Sequence, residues 1–240
     1  MEENKLYVVA TPIGNLEDVS SRAMRVLQEA DLIITENQPT TRKLFSLLNL
    51  NISGKRLVTF ADFNSKQDLP KVIELLKNTK NSALVSEAGT PLISDPGYEI
   101  ISFIRANKLE IEILCVPGAS SIISHLSISG LPTNNFMFVG FLPKKIGKCT
   151  KTLNSFNDIN NITKTTFVIL ESKHRLEKTL KLIFEVYPTC LVSLGLELTK
   201  KFERVYYGNI EEVLKTISAS KVSGEAILHL QLLPNETSKN

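Results

Sequence analysis

Along the chain, short unbroken apolar blocks alternate with segments in which apolar residues return every three or four positions. The blocks cover residues 5–10, 31–35, 57–60, 81–85 and 111–116. Runs this short and this continuous predict strands buried on both faces. The periodic segments predict helices over 21–30, 68–77 and 99–105, with Leu69, Val72, Ile73 and Leu76 on one face of the second. Asp18 or Ser20 is placed to cap the first of them. Strand and helix in alternation predict an α/β unit with a mostly parallel sheet covered on both sides. The polar stretch 36–43 reads as a loop, in which Pro39 removes a backbone donor and stiffens the chain.

The pattern restarts after residue 117, so the predicted domains are 1–117 and 118–240. A helix of small residues over 122–129 ends at Gly130. Strands follow at 135–141, 165–171, 191–196 and 224–233, and 202–208 reads as extended. Helices are predicted over 174–186 and 210–217, the latter capped by Asn209. Residues 142–161 are polar and lysine-rich, and 234–240 read as a frayed tail.

Two loops stand out from this frame. One is Thr11-Pro12-Ile13-Gly14-Asn15-Leu16, directly after the first strand. The other is Ser86-Glu87-Ala88-Gly89-Thr90-Pro91-Leu92-Ile93-Ser94-Asp95-Pro96-Gly97, between a strand and a helix. Ligands of open α/β sheets bind outside the carboxyl ends of the strands. Gly89 lets a ligand approach the backbone, and Thr90, Ser94 and Asp95 offer it polar groups. Pro117-Gly118-Ala119-Ser120-Ser121 is a third such turn, at the predicted boundary.

Charge adds one feature. The net charge of +3 is mild, but residues 141–204 hold twelve Lys and Arg against six Asp and Glu. A concentrated basic region can hold phosphates where an even distribution cannot. Cys115, Cys149 and Cys190 are widely spaced and form no CxxC pair, so neither a disulfide framework nor a zinc site is predicted. The amino terminus is acidic and no membrane span or secretory signal is expected, which places the protein in the cytoplasm.

Seven segments then match one family in order: 11–18, 88–97, Val116-Pro117-Gly118, 129–133, Gly140-Phe141-Leu142-Pro143, Glu171-Ser172 with His174-Arg175, and Glu197-Leu198-Thr199-Lys200-Lys201-Phe202-Glu203. The chain resembles the ribosomal RNA small subunit methyltransferase I family, which lies within the tetrapyrrole methylase superfamily. The resemblance runs from Lys5 to about Leu233. It implies two α/β domains of the tetrapyrrole methylase type with a cofactor cleft between them. It implies S-adenosylmethionine as cofactor and a homodimer as the working unit. The implied substrate is the 2′-hydroxyl of a cytidine in small-subunit ribosomal RNA, presented as RNA or as the assembled subunit.

With the resemblance, Pro12, Gly14, Gly89, Thr90, Ser94, Asp95, Pro117, Ala119, Ser120 and Ser121 become the cofactor-binding candidates. Amides freed at Gly89 suit a carboxylate, and Asp95 suits an ammonium. The candidate acid–base residues are Glu36, Glu171, His174 and Glu197, unranked. Glu171 with Arg175 equally reads as an i,i+4 ion pair, and His174 as a surface cap. Arg42, Lys144, Lys145, Lys173, Arg175, Lys200 and Lys201 are candidate phosphate contacts. No metal is expected. Two rival readings are a tetrapyrrole or corrin methyltransferase of the same fold and a non-catalytic RNA-binding assembly factor.

The chain departs from the family pattern at four places. Glu87 stands where Asp is usual, Lys173 where Pro is usual, and Leu196 where Arg is usual. Asn37-Gln38-Pro39-Thr40 replaces Asp-Thr-Arg-His. Read as changes in an RNA-positioning loop, Asn37 and Pro39 predict near-normal donor affinity with slower turnover.

Overall fold

The computed structural model describes residues 4–61, 65–220 and 224–233. The chain forms two compact units, 1–120 and 121–240, so the division falls three residues beyond the predicted one. The predicted tail, 234–240, lies outside the described residues.

The first unit is built on β1 (Asn4–Val9), β2 (Leu32–Thr35), β3 (Arg56–Thr59), β4 (Asn81–Val85) and β5 (Ile111–Val116). All pair in parallel, in the order β3-β2-β4-β1-β5. The connecting helices are α1 (Ser21–Glu29), α2 (Gln38–Leu47), α3 (Ser65–Lys77) and α4 (Tyr98–Ala106). Side chains alternate across the strands, so two cores form. Leu6, Leu32, Ile34, Val58 and Leu84 pack with Val72, Ile73 and Leu76 of α3 and Ile100 and Ile104 of α4. Val9, Ile33, Ala83 and Val85 pack with Ala23, Val26 and Leu27 of α1 and Phe45 of α2.

This arrangement creates a switch point. The chain leaves β1 and β2 toward one face, through α1 and α2. It leaves β4, which lies between them, toward the other face through α4. Loops that diverge in this way open a crevice at the strand ends, the usual ligand position in such sheets.

The stretch 36–43 is not a loop. Asn37 is the N-cap of α2, its side chain accepting the Thr40 N–H at 3.4 Å, and Pro39 sits in the first turn. A first-turn N–H has no intrahelical partner, so proline costs nothing there and its fixed φ suits the helix. Ser20, rather than Asp18, caps α1 by accepting the Ala23 N–H at 3.0 Å. Helix α3 begins at Ser65, three residues before its predicted start.

The second unit contains α5 (Ser121–Ile128), β6 (Phe136–Phe141), α6 (Ile146–Ile162), β7 (Thr166–Glu171), α7 (Leu176–Val186), β8 (Leu191–Leu196), β9 (Arg204–Asn209), α8 (Ile210–Ala219) and β10 (Ala226–Gln231). Its sheet runs β6-β7-β10-β8-β9. Only β6 and β7 are parallel; β10 pairs antiparallel with both β7 and β8, and β8 with β9. This sheet is therefore mixed, unlike the parallel sheet of the first unit. A short turn links β8 to β9, and the chain then passes through α8 before β10 enters the middle of the sheet, between β7 and β8. The lysine-rich stretch 142–161 folds largely as α6, which buries Cys149, Leu153 and Phe156.

One face of this sheet packs on α6, α7 and α8. On the opposite face lie Val168, Ser193, Ile227 and His229, all buried, with His125 of α5 against them. The rings of His125 and His229 lie 4.4 Å apart, and His125 Nε2 is 3.0 Å from the Ser193 hydroxyl. Burial lowers the His125 pKa to about 4. Burial, followed by repulsion from His125, lowers that of His229 to about 3.

Candidate functional site

The two Pro/Gly loops meet at the switch point of the first unit. Thr11 and Gly89 form an antiparallel bridge, Thr11 N–H to Gly89 O at 2.9 Å and Gly89 N–H to Thr11 O at 3.0 Å. The Gly89 amide is therefore committed to the bridge and is not free for a ligand carboxylate. Gly89 has φ +81, and a Cβ there would sit 3.1 Å from Ile13 Cγ2. The Thr90 hydroxyl donates to the Ala119 carbonyl at 3.1 Å, tying this loop to the chain beyond β5. The Ser86 hydroxyl lies within reach of the carbonyls of Ala88, at 3.2 Å, and Gly89, at 3.3 Å.

Past the bridge, Leu92 and Ser94 adopt φ +74 and +65, and Gly97 φ +123. Left-handed backbone at two non-glycine residues persists only when its surroundings impose it, and such strain gathers at ligand sites. Ser94 is exposed and Asp95 half-buried. Pro12 is half-buried and Gly14 exposed, on the other loop. Pro117 and Gly118 are exposed, while Ala119, Ser120 and Ser121 are half-buried. A Cβ on Gly118 would meet the Ala10 Cβ at 2.9 Å, so glycine there lets this turn pack against the end of β1.

Sequence reasoning did not single out Thr11 as a donor group. It is 2% exposed, and its hydroxyl has no hydrogen-bond partner among the described residues. An orphaned buried hydroxyl beside a backbone bridge suits a polar ligand atom. The donor set also suits a small zwitterion: a buried hydroxyl, an exposed serine and a carboxylate on one constrained loop pair. Among the described residues no cluster of three His, Cys, Asp or Glu can hold a metal ion.

A small cleft opens beside this point, at the ends of β2 and β4. Thr35, Glu36, Ser86, Phe60 and Pro96 are among its lining residues. The Thr40 hydroxyl of α2 donates to Glu87 Oε1 at 3.3 Å, so the first turn of α2 is bound to the β4 loop. The departures at Asn37 and Pro39 thus lie in a capped helix start. Asn and Asp cap helices about equally well, so the helix start itself is kept with Asn37 in place.

The remaining acid–base candidates lie in the second unit and differ sharply. Glu171, at the end of β7, is 2% exposed and already occupied. Its carboxylate accepts the Ser172 N–H at 2.8 Å and the Thr179 hydroxyl at 2.7 Å, with Arg175 at 3.3 Å. Arg175 in turn donates to the Leu142 carbonyl at 2.8 Å. Both residues thus hold β7, α7 and the β6–α6 connection together, as the i,i+4 ion-pair reading of Glu171 and Arg175 expects. His174 is exposed in the turn before α7, beside exposed Lys173.

Glu197 follows β8 with φ +49. Its Oε1 accepts the Glu225 N–H at 2.8 Å and receives Lys200 Nζ at 3.2 Å. Lys200 also reaches Glu225 Oε2 at 3.0 Å. Burial works to lower the Lys200 pKa, but the hydrogen bonds and charges of Glu225 and Glu197 outweigh it and leave it raised. Lys200 is thus held between two carboxylates in the free protein. Gly224, with φ +111, makes the space, since a Cβ there would overlap the Glu197 carboxylate. Arg42, Lys144, Lys145 and Lys201 are exposed.

The bridge makes a direct prediction. Gly89→Val places a β-branched residue at φ +81 and against Ile13, so the loop pair is expected to separate. Donor affinity measured by calorimetry on the folded variant should fall at least about tenfold, the equivalent of ~1.4 kcal/mol. Unchanged affinity would remove the donor from this loop pair.

The family model of the tetrapyrrole (corrin/porphyrin) methylases matches residues 5–214. The ribosomal RNA small subunit methyltransferase I of Hydrogenobaculum sp. is 37% identical over 228 residues, 94% of this chain and 95% of that protein. The protein of the same name from Thermotoga maritima is 38% identical over 221 residues, 92% of this chain and 95% of its own. Among solved structures, diphthine synthase superposes with a TM-score of 0.70 at 13% identity, covering 95% of this chain and 90% of its own. Uroporphyrin-III C-methyltransferase from Thermus thermophilus, complexed with S-adenosylhomocysteine, superposes with a TM-score of 0.61 at 17% identity, covering 95% and 97%. At these identities the structures show a common fold.

Proposed function

The chain belongs to the ribosomal RNA small subunit methyltransferase I family, with the tetrapyrrole methylase fold, and from that membership we propose that it methylates small-subunit ribosomal RNA. One observation carries the substrate class. The relatives of that name match at 37–38% identity across more than nine-tenths of the chain. The likeness to porphyrin enzymes is at 17% identity, which brings their fold and not their substrate.

The methyl group comes from S-adenosylmethionine, whose sulfonium is already an activated donor. The protein binds it at the paired loops of the first unit, with the Thr11 hydroxyl, Ser94 and Asp95 as polar contacts. Holding donor and acceptor in line is the main task, and orientation of this kind is worth about 7–11 kcal/mol of barrier. The acceptor is the 2′-hydroxyl of a cytidine. A ribose hydroxyl is a poor nucleophile at neutral pH, so a proton acceptor at the site accelerates the step. Glu36, His174 and Glu197 remain candidates for it. Glu171 leaves the list because three groups of the protein already hold its carboxylate. The working unit in this reading is a homodimer.

The exposed lysines near the start of α6 supply phosphate contacts. Each phosphate neutralised on a single strand contributes roughly −0.7 to the slope of log affinity against log salt. Replacing Lys144, Lys145 and Lys148 together with Ala should flatten that slope by about two units and leave donor affinity unchanged. An unaltered slope would make these lysines solvated surface.

Labelled S-adenosylmethionine offered with small ribosomal subunits, and separately with uroporphyrinogen III, tests the reading. Label entering the RNA supports it. Label entering only the tetrapyrrole contradicts it, and donor binding without transfer to either supports a non-catalytic assembly factor.

A further inference from the structure

The turn between β8 and β9 is a strained segment of the second unit. Glu197 and Thr199, neither of them glycine, hold φ +49 and +62. Several contacts impose this shape. The Glu203 carboxylate accepts the Thr199 N–H at 2.7 Å. The Lys200 N–H donates to the Glu197 carbonyl, and the Glu203 N–H to the Lys200 carbonyl, each at 3.0 Å. The Lys200 ammonium is clamped between Glu197 and Glu225. Leu198, 8% exposed, anchors the turn from below.

This rigid turn displays an aromatic ring to solvent. Phe202 is 70% exposed, and Lys201 Nζ stands 5.6 Å from its ring centroid. Arg204, next along, is exposed as well. Burial would be the ordinary fate of a phenyl ring, and nothing in the turn's own packing needs it.

We propose that Phe202 is a base-stacking residue, which receives an unpaired base of the RNA on its ring while Lys201 meets the adjoining phosphate. The inference rests on the RNA reading given above and names the contact that reading lacks. Every nucleobase has a π-face, and proteins that grip unpaired RNA combine exposed aromatic rings with neighbouring cations. Lys201 stands over the ring, and Glu203 and Arg204, both exposed, follow it in the chain. That chemistry fits a polyanion better than a protein surface. A turn already fixed by its own hydrogen bonds loses little freedom when it binds. Glu197 is rooted in the same turn, so a base held on Phe202 is held in register with that carboxylate.

The test is a series of three variants, Phe202→Ala, Phe202→Leu and Phe202→Tyr, assayed on small ribosomal subunits from cells lacking the protein. Two measurements accompany it: S-adenosylmethionine affinity by calorimetry and direct binding to a small-subunit RNA fragment. Ala and Leu should each raise KM for subunits and weaken RNA binding about tenfold, with kcat changed less than about twofold. Donor affinity should be unchanged, and Tyr should restore wild-type values. A Leu variant as good as wild type, or no change in any variant, overturns the proposal. So does a change in oligomeric state by light scattering in place of a change in KM, which would make the ring a protein contact. If wild-type protein binds the RNA through Phe202 yet transfers no methyl group, the methylation reading falls and the stacking proposal stands.

Discussion

Lowering the pH from 7 to 5 is expected to cost the second unit about 4 kcal/mol of stability, about 2 from each of two imidazoles. His125 and His229 are both 0% exposed and face one another across α5 and β10. Their folded-state pKa values, about 4 and about 3, lie below the ordinary imidazole value of 6.5. A proton is therefore bound by the unfolded chain first. Stability is intact above about pH 6.5 and falls as the pH drops toward the folded values. Calorimetric unfolding at pH 7 and pH 5 measures the difference. His229→Leu should remove about half of it, and also the mutual repulsion of the pair. Equal stability at the two pH values would mean that the rings are solvated in the folded protein.

The second large effect is expected at Glu171. Replacing it with Leu leaves Arg175 without its counter-charge and strands the Ser172 N–H and the Thr179 hydroxyl. Removing one partner of a buried pair costs about 3–5 kcal/mol. Because Arg175 retains some exposure, the lower end, about 3 kcal/mol, is expected. Glu171→Gln keeps an acceptor for the Ser172 N–H but still removes the counter-charge of Arg175, so it should cost less than Leu, about 2 kcal/mol, the scale of a hydrogen bond to a charged group. Denaturant midpoints give the stabilities, and methylation assays on the same samples give the activities. A Gln variant of wild-type stability and no turnover would return Glu171 to the role of catalytic base.

The first unit was legible in the sequence because its strands are continuous apolar blocks and its helices amphipathic. Each local pattern there agrees with the parallel sheet it joins. Helix α2 was obscured by Pro39, read as a loop marker although a first-turn proline is compatible with a helix. Asn37 ahead of it and the apolar positions Leu44, Phe45, Leu47 and Leu48 behind it carried the signal. The antiparallel return of β10 was not legible, since an apolar block does not state its direction. Among the candidate site residues, Gly89 announced itself through its loop. Thr11 did not, because an orphaned hydroxyl exists only once the strands pair. Glu171 and Arg175 showed the spacing of an ion pair, and the pair is present. The role of Gly224 depends on Glu197, far away in sequence, and no local pattern reveals it.

The central claim is that this chain places a methyl group on the ribose of a small-subunit ribosomal RNA cytidine. Ribose methylation mapped across that RNA, from cells with and without the protein, tests it most directly. A 2′-O-methyl group blocks alkaline cleavage of the adjoining linkage. The account predicts one cytidine whose linkage resists alkali when the protein is present and is cleaved when it is absent, with resistance restored by purified protein and S-adenosylmethionine. Identical ribose methylation maps from the two kinds of cell would contradict it.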